Sequence, residues 1–314
     1  PEEGETVFVT GNPGSTQRLK TIAQMEFLRY FRYPQILSSI RMQIDHLNAR
    51  AEADPEVDLR NDIMQQENSF KALNGHYEGL LNDEVMEIKR GAEARLREAI
   101  ANDEELNRRY GDVFEKIETN IAEVRELIAR GRELREQVGS GEVDPQEAQS
   151  TVGDLNERIT EIMRGERGLE KRVGEAFFAV YGTTAPPDAT MSLRITDGVA
   201  AGYPMNGTIA PYFTSLHGLY ARHTEFGGKE PFDLQPVWLE KMDELDLNTP
   251  FCWVNTCDIT GGNSGSPVIN KDLEVVGLAF DGNIESLGNE FIFTDETPRT
   301  VCVHPAIIVE SLRK

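Results

Sequence analysis

The chain has 314 residues, of which 39% are hydrophobic, and a formal net charge of -22. This length is enough for about two domains with buried cores. The acidic balance argues against a nucleic-acid partner, because phosphate binding needs clustered Lys and Arg, and it also disfavours an anionic membrane surface. No run of about 18 apolar residues is present, so we expect no membrane insertion.

Both ends of the sequence look cut. The chain begins with Pro1 rather than methionine, and it stops at "VESLRK" inside a segment that reads as a helix. We therefore expect a piece of a longer polypeptide, and the absence of a visible signal peptide carries little weight.

The three cysteines are Cys252, Cys257 and Cys302. An odd count without C-x-x-C spacing predicts neither a metal site nor a clear disulfide framework, although one pair could be oxidised in an exported protein. We expect no metal and no cofactor.

The first 32 residues differ in pattern from the long stretch that follows. Within residues 1–32, "TVFVTGNPGST" predicts a short β-strand running into a Gly/Pro turn. Residues 33–181 have a helical pattern. Asp54–Pro55 and Asp144–Pro145 each read as a helix N-cap with proline in the first turn, and Glu147 adds a capping-box partner for Asp144.

Two apolar stripes in the helical zone predict an αα-hairpin. Their members are three or four residues apart, the spacing of one helix face. The stripes are Phe114, Ile117, Ile121, Val124 and Ile128, then Val152, Leu155, Ile159 and Ile162. Gly139 and Gly141 break the pattern between them, so we expect two antiparallel helices joined by a short Gly-rich loop.

Residues 182–314 lose the helical period and become richer in Gly, Pro, Thr and aromatic residues. Apolar alternation around Asp197–Gly198, and again around Lys271–Asp272, predicts antiparallel β-hairpins. The strand in residues 1–32 needs partners, which this zone supplies. We therefore predict an α+β fold in which residues 33–181 are a helical insertion in one β-domain, which ends in a C-terminal helix.

The segment "GGNSGSPVIN" predicts a loop that presents a nucleophilic serine. Such a loop needs a tight turn and two backbone N–H groups aimed at the developing oxyanion. Ser264 is preferred to Ser266 because Gly262 stands two residues before it and allows the required conformation. The oxyanion donors would be the amides of Gly262 and Ser264. An ordinary Gly/Ser-rich loop is the alternative.

Five segments together resemble one family. They are "GGNSGSPVINKDLEVVGLAFDGNIESL", "VFVTGNPGST", "PPDATMSLR", "GYPMNGTIAP" and "FGGKEPFDL". In these segments the sequence resembles the bacterial exo-dipeptidyl serine peptidases of family 46, the dipeptidyl peptidase 7 and 11 type. The resemblance runs over most of the chain and is strongest in residues 182–314. The resemblance implies a chymotrypsin-like fold, in which this chain is the second β-barrel of a double-barrel serine peptidase with a large inserted α-helical domain.

The resemblance implies removal of dipeptides from free peptide N-termini, with Ser264 as the nucleophile. Asp281 matches the acid that binds the substrate's α-amine, and a buried ammonium does need a carboxylate partner. Asn68, with Asn74 as an alternative, matches an amine-binding asparagine of the helical domain. These three can also be read as a turn residue and two helix-surface residues.

Two positions bear on specificity and activation. In acidic-specific members of the family an arginine follows the Phe-Asp pair, whereas Gly282 stands here, which implies an apolar or broad P1 preference closer to the dipeptidyl peptidase 7 type. Asn263, not aspartate, precedes Ser264, so we do not expect the chymotrypsin activation switch, which pairs that aspartate with a newly cut N-terminus.

A base for Ser264 is not recognisable in the sequence. None of the five histidines lies in a catalytic context, and His217 and His223 read as surface or packing residues. His304 follows a predicted strand and is expected to cap the last helix. The resemblance places the catalytic His and Asp in a first barrel before Pro1.

Two other readings stay open, a non-catalytic module that binds peptide N-termini and a helical interaction protein. The expected partners are peptides with a free N-terminus, and a homodimer is left open. The resemblance implies a periplasmic or secreted location.

Overall fold

The computed structural model describes residues 1–54, 56–184 and 187–313, and it divides into two compact units. The β unit joins Pro1–Thr16 to Ala189–Lys314, and the helical unit is the continuous segment Gln17–Asp188. The helical unit thus begins at Gln17 rather than at residue 33. The reason is that Thr21 and Gln24 form a capping box, which starts a helix inside the segment predicted to belong to the barrel.

The β unit contains nine strands among the described residues. They are β1 (Thr6–Gly11), β2 (Arg194–Val199), β3 (Tyr203–Met205), β4 (Thr208–Ala210), β5 (Phe213–Ser215), β6 (Pro250–Asn255), β7 (Ser266–Asn270), β8 (Val275–Gly282) and β9 (Thr300–Val303). Seven form an antiparallel sheet in the order β2-β1-β7-β8-β9-β6-β5, and β3 pairs with β4. The predicted strand near the N-terminus therefore finds its partners after the helical segment.

The sheet curls so that β2, at one edge, meets the end of β6, the sixth strand in the sheet order. Ala200, directly after β2, forms a bridge with Asn255 at the end of β6, and the backbone N–H of Thr256 donates to Val199 O at 3.0 Å. Six strands therefore close on themselves, and β5 extends beyond β6. The enclosed core includes the fully buried side chains Val7, Val9, Trp253, Val268, Ala279 and Cys302.

The predicted turn at Asp197–Gly198 is wrong. Both residues lie inside β2, where Gly198 pairs with Val7 of β1. Glycine is needed there because another backbone comes close, and a Cβ would lie 2.5 Å from the nitrogen of Cys257. The hairpin turn is Asn206–Gly207 between β3 and β4, with φ values of 50° and 78° that suit these two residue types.

The predicted hairpin around Lys271–Asp272 is confirmed. Strands β7 and β8 pair in antiparallel register on either side of it. The side-chain oxygen of Asn270 accepts hydrogen bonds from the backbone N–H groups of Asp272 and Glu274, both at 3.0 Å. An Asn side chain thus stabilises the turn locally.

All three cysteines are free thiols. Cys257 and Cys302 lie in the core, and burial raises the pKa of the Cys257 thiol to about 12. Burial likewise raises the pKa of Cys302 and of the half-buried Cys252. These thiols are therefore packing groups, and the disulfide left open by the sequence is not formed in this structure.

The helical unit contains seven α-helices among the described residues. They are α1 (Ile22–Phe27), α2 (Tyr33–Ala53), α3 (Arg60–Leu81), α4 (Asp83–Ala101), α5 (Glu104–Tyr110), α6 (Val113–Ser140) and α7 (Pro145–Tyr181). A π-helical turn, Leu28–Arg32, joins α1 to α2. The β unit adds α8 (Leu216–Glu225), α9 (Pro236–Glu240) and α10 (Pro305–Arg313). No helix in the described ranges is long and apolar enough to cross a membrane.

The predicted αα-hairpin is confirmed by α6 and α7. Most of the two apolar stripes pack into one buried cluster, which Leu96, Tyr110 and Val173 of the same unit complete, whereas Val152 and Leu155 are half-buried outside that cluster. Gly141, with φ of 80°, ends α6, whereas Gly139 lies inside that helix and breaks nothing. Asp144 caps α7 by accepting from the backbone N–H of Gln146 and of Glu147.

The other predicted N-cap is wrong. Asp54 is the C-cap of α2, and its carboxylate accepts the backbone N–H of Glu56 at 3.2 Å, while Pro55 lies outside the described residues. Helix α3 begins only at Arg60, after Leu59, whose side chain is buried. An Asp-Pro pair favours the start of a helix only where the preceding helix has already ended.

Candidate active site

Ser264 lies in an exposed loop between β6 and β7, held by backbone hydrogen bonds at alternate residues. The N–H of Asn263 donates to Thr260 O at 3.1 Å, and that of Gly265 donates to Ala279 O at 2.7 Å. Within the described ranges, the N–H groups of Gly262 and Ser264 have no acceptor. The loop therefore exposes Ser264 together with the two amides predicted as oxyanion donors.

Gly262 has a specific structural reason to be glycine. Its φ is +110°, and a Cβ there would lie 2.5 Å from Asn12 O and 2.8 Å from the nitrogen of Gly14. The neighbouring Gly261 O accepts the N–H of Gly14 at 2.6 Å. The turn Asn12–Gly14 after β1 thus packs backbone to backbone against the loop, a role that the sequence analysis missed although it identified the Gly/Pro turn itself.

Asn263 holds the loop from inside. Its side chain is 3% exposed, and its Oδ1 accepts the backbone N–H of Thr260 at 3.2 Å. A neutral amide can be buried with one such bond, whereas a carboxylate here would have to be desolvated. The residue before Ser264 therefore acts as a local structural support.

A β-bulge in β8 lies beside the serine. Ala279 pairs with Cys302 and Asp281 pairs with Val301, so Phe280 is the extra residue. Regular alternation would point Asp281 inward like the fully buried Ala279, but the bulge leaves both Phe280 and Asp281 exposed.

The serine hydroxyl contacts this bulge directly. Ser264 Oγ donates to Phe280 O at 3.5 Å, a long hydrogen bond. The next residue, Asp281, is exposed, and its Oδ1 accepts the N–H of Gly282 at 2.9 Å, while its other oxygen has no hydrogen bond within the described residues. The bulge therefore places a free carboxylate oxygen one residue from the group that touches Ser264.

Gly282 at the end of β8 leaves no room for a side chain. A Cβ there would lie 2.3 Å from Ser286 Oγ, and that hydroxyl is fixed because it donates to Asn283 O at 2.6 Å. Position 282 therefore presents bare backbone next to Asp281.

None of the histidines bonds to Ser264 in the described chain. His46 and His217 lie on exposed helix faces, and His76 is half-buried within α3. His223 Nδ1 lies 3.0 Å from Phe232 O, in keeping with the packing role expected for it.

His304 caps α10 as predicted. Its Nδ1 accepts the backbone N–H of Ala306 at 3.1 Å. Burial lowers the pKa of His304 to about 4. The ring is therefore neutral near pH 7 and committed to the helix cap.

The two candidate asparagines lie on α3 in the helical unit. Asn68 is exposed, and the described residues provide no hydrogen bond to its side chain. Asn74 donates from Nδ2 to Glu78 Oε1 at 2.8 Å, one helical turn away. Asn68 therefore has the free side-chain amide. In the described part of the chain, no group of three or more His, Cys, Asp or Glu is placed to hold a metal ion.

The model of the Peptidase S46 family matches residues 1–161 and 148–314. The chain belongs to the Peptidase S46 family. This finding covers both units and agrees with the resemblance drawn from the serine loop.

Curated relatives align over shorter stretches. Dipeptidyl-peptidase 7 of Phocaeicola vulgatus is 33% identical over 160 residues, 48% of this chain and 22% of the relative. The Asp/Glu-specific dipeptidyl-peptidase of Shewanella putrefaciens is 31% identical over 148 residues, 37% of this chain and 20% of the relative. The matched regions are thus about a fifth of each relative's length.

A solved structure matches nearly the whole chain. The crystal structure of Porphyromonas endodontalis DPP11 in complex with the dipeptide Arg-Asp has a TM-score of 0.77 and 15% identity, covering 98% of this chain and 62% of that one. At this identity the likeness shows the fold, a helix-rich α+β arrangement with an antiparallel sheet.

Proposed function

We propose that this chain carries the nucleophile of a serine-type dipeptidyl peptidase, which releases dipeptides from the free N-termini of oligopeptides. The observation that carries the proposal is the exposed Ser264 in a loop whose Gly262 and Ser264 amides lack protein acceptors. Two such donors would stabilise the oxyanion formed when Ser264 Oγ attacks the scissile carbonyl. The hydrogen bonds of Asn263 and Gly265 to Thr260 O and Ala279 O support the proposal, because they hold the backbone on either side of Ser264.

Asp281 is proposed to bind the α-ammonium of the substrate. Its free carboxylate oxygen and its position beside the Ser264 contact support this role. An anchor for the amine would set how far the peptide enters the site and so fix cleavage after two residues. Asn68, on the helical unit, stays a candidate amine-binding residue from the family resemblance, and its amide is unengaged among the described residues.

The general base is proposed to come from sequence preceding Pro1. Ser264 Oγ donates its hydrogen bond to the backbone carbonyl oxygen of Phe280 and has no base beside it in the described chain. A serine needs a positioned base to act as a nucleophile. In this proposal the closed sheet is the second barrel of a chymotrypsin-like pair, and the catalytic His and Asp belong to the first. A periplasmic or secreted location is proposed with it, and a homodimer is left open.

Gly282 supports an apolar or broad P1 preference. It supplies no cation that could meet an acidic side chain, and the neighbouring Phe280 is 44% exposed. Relatives of both kinds are known, some named dipeptidyl-peptidase 7 and others named Asp/Glu-specific. Fluorogenic dipeptides ending in Leu or Phe should be cleaved faster than those ending in Asp, and faster cleavage after Asp would refute this preference.

The decisive experiment labels activated serines with a fluorophosphonate. It uses this chain and, in parallel, the longest natural polypeptide that contains it. We expect a stoichiometric mass shift at Ser264 in the longer protein and none in this chain. Ser264→Ala should lower kcat/KM at least about a thousandfold, whereas the control Ser266→Ala, at a buried serine, should keep most of the activity.

Labelling of this chain alone would contradict the upstream base and turn attention to His217 and His223. Labelling of neither protein would favour the alternative, a non-catalytic module that binds peptide N-termini, which the Ser264–Phe280 hydrogen bond is compatible with. Asp281→Asn tests the amine anchor that both readings share. It should weaken peptide binding, and hydrolysis where it occurs, at least about tenfold, and only for substrates with a free amine.

A further inference from the structure

An open cavity of about 420 Å³ lies in the helical unit, and no residue of the serine loop lines it. Its walls come from the junction of α1 and α2, from α6 and from α7. The apolar part includes Phe27, Val124, Ile159 and Met163. This volume lies in the range of small-molecule sites, about 300–1,000 Å³.

Three arginines line the same cavity. They are Arg32, Arg164 and Arg167, accompanied by the neutral Gln35 and Thr160, and none of the described acidic residues contributes to the lining. In the described ranges, none of the three guanidinium groups forms a salt bridge or a side-chain hydrogen bond. The cavity lining therefore combines cationic and apolar side chains.

The three arginines are exposed to solvent and have no acidic partner in the described ranges, although the chain as a whole is acidic. It contains 54 Asp and Glu against 32 Lys and Arg, so carboxylate partners are plentiful. The acids one helical turn away are already used. Glu161 binds Arg158 at 2.7 Å, and Glu170 binds Lys20 at 2.7 Å. The three guanidinium groups are thus left available around an apolar surface.

The backbone at this cavity is also unusual. Arg32 is the last residue of the π-helical turn Leu28–Arg32, and Phe27 directly precedes that turn. Wide turns of this kind are rare, and they occur disproportionately at functional sites. The π turn changes the helical phase between Phe27 and Arg32, so that both residues reach the same cavity.

We propose that this cavity binds an amphipathic carboxylate, an organic anion with a hydrocarbon group. Arginine forks pair with carboxylates through two parallel hydrogen bonds, and the apolar wall would take the hydrocarbon. The site uses no residue of the serine loop, so its test and that of the peptidase proposal succeed or fail separately.

The test titrates octanoate into the full chain carrying ¹³C-methyl methionine, with calorimetry in parallel. Met163, 38% exposed at the cavity, is the reporter. We expect a saturable shift of its methyl signal with octanoate. The variant R32Q/R164Q/R167Q should raise the apparent Kd for octanoate at least about tenfold, because charge-assisted hydrogen bonds are lost. R130Q/R132Q/R135Q removes three exposed arginines of α6 outside the cavity and should bind like the parent.

Two control ligands separate the parts of the proposal. Octanol keeps the hydrocarbon without the charge, and acetate keeps the charge without the hydrocarbon; both should bind at least about tenfold more weakly than octanoate. Equal binding of octanol would overturn the role of the arginines, and equal binding of acetate would overturn that of the apolar wall. An unchanged Met163 signal, or equal losses in the two triple variants, would reject the site.

Discussion

The β unit and the helical unit keep their shapes by different means. In the β unit, Gly14, Gly198 and Gly262 lie where another backbone atom would be only 2.5 Å from a Cβ. In the helical unit, a Cβ at Gly153 or Gly165 would meet nothing within 4 Å, and the close backbone atom at Gly111 is a local one, Asn107 O at 2.6 Å. The first unit depends on backbone segments that touch, and the second depends on side chains buried at helical spacing.

This difference explains where the proposed chemistry lies. Backbone contacts fix the directions of N–H groups, which is what an oxyanion site requires. Side-chain packing tolerates small shifts of whole helices, and it leaves room for cavities such as the one lined by Arg32, Arg164 and Arg167. The most firmly held backbone groups are therefore expected around Ser264.

The strongest way to break the β unit is Gly262→Ala. The added Cβ would meet Asn12 O, and φ of +110° is unfavourable for alanine, so we expect a loss of about 2–4 kcal/mol in the free energy of unfolding. Urea denaturation measures it. Gly261→Ala is the matched control, because a Cβ there has open space. Equal small effects at the two positions would contradict the tight backbone contact.

A pH titration sharpens the comparison through buried ionisable groups. Burial lowers the pKa of His304 in the β unit from 6.5 to about 4, so the unfolded chain binds a proton more readily. The stability from neutral His304 is complete above pH 6.5 and is lost as the pH falls toward 4. In the helical unit, burial raises the pKa of Glu166 above 4.5. Ionising this buried carboxyl group destabilises the folded state, and the destabilisation grows as the pH rises.

His304→Asn tests the first of these groups, since an Asn oxygen can also cap α10 without titrating. When the pH falls from 7 to 4.5, the parent should lose more free energy of unfolding than the variant. The difference between the two losses should be on the order of 1 kcal/mol. Chemical denaturation at a series of pH values measures it. A difference that does not change with pH would mean that His304 titrates normally.

The smallest effect is expected from Gly153→Ala in α7. The position is exposed, and the new methyl group meets nothing, so only the helix propensity changes. The free energy of unfolding should rise by about 0.5–1 kcal/mol, measured by urea denaturation. A loss of stability would show that the helical unit also contains a backbone contact that its geometry does not reveal.

Local patterns predicted the parts of this protein that depend on neighbours along the chain. The stripes from Phe114 to Ile162 predicted the αα-hairpin because burial follows helical spacing, and Asp144 predicted its cap. The hairpin around Lys271–Asp272 followed from alternation, since Asn270 supplies the turn bonds within four residues. Glycine two residues before Ser264 likewise marked the serine loop.

The tertiary structure decided whatever depends on segments distant in sequence. Asp197–Gly198 has the composition of a turn, yet its glycine allows the close approach of Cys257 from the segment after β6. The bulge at Phe280, which turns Asp281 outward, arises from pairing with β9 and has no local signal. A local sequence pattern reflects interactions between residues that are near in the chain. The exposure of Asp281 and the shape of the Ser264 loop depend instead on backbone segments that come together only after folding.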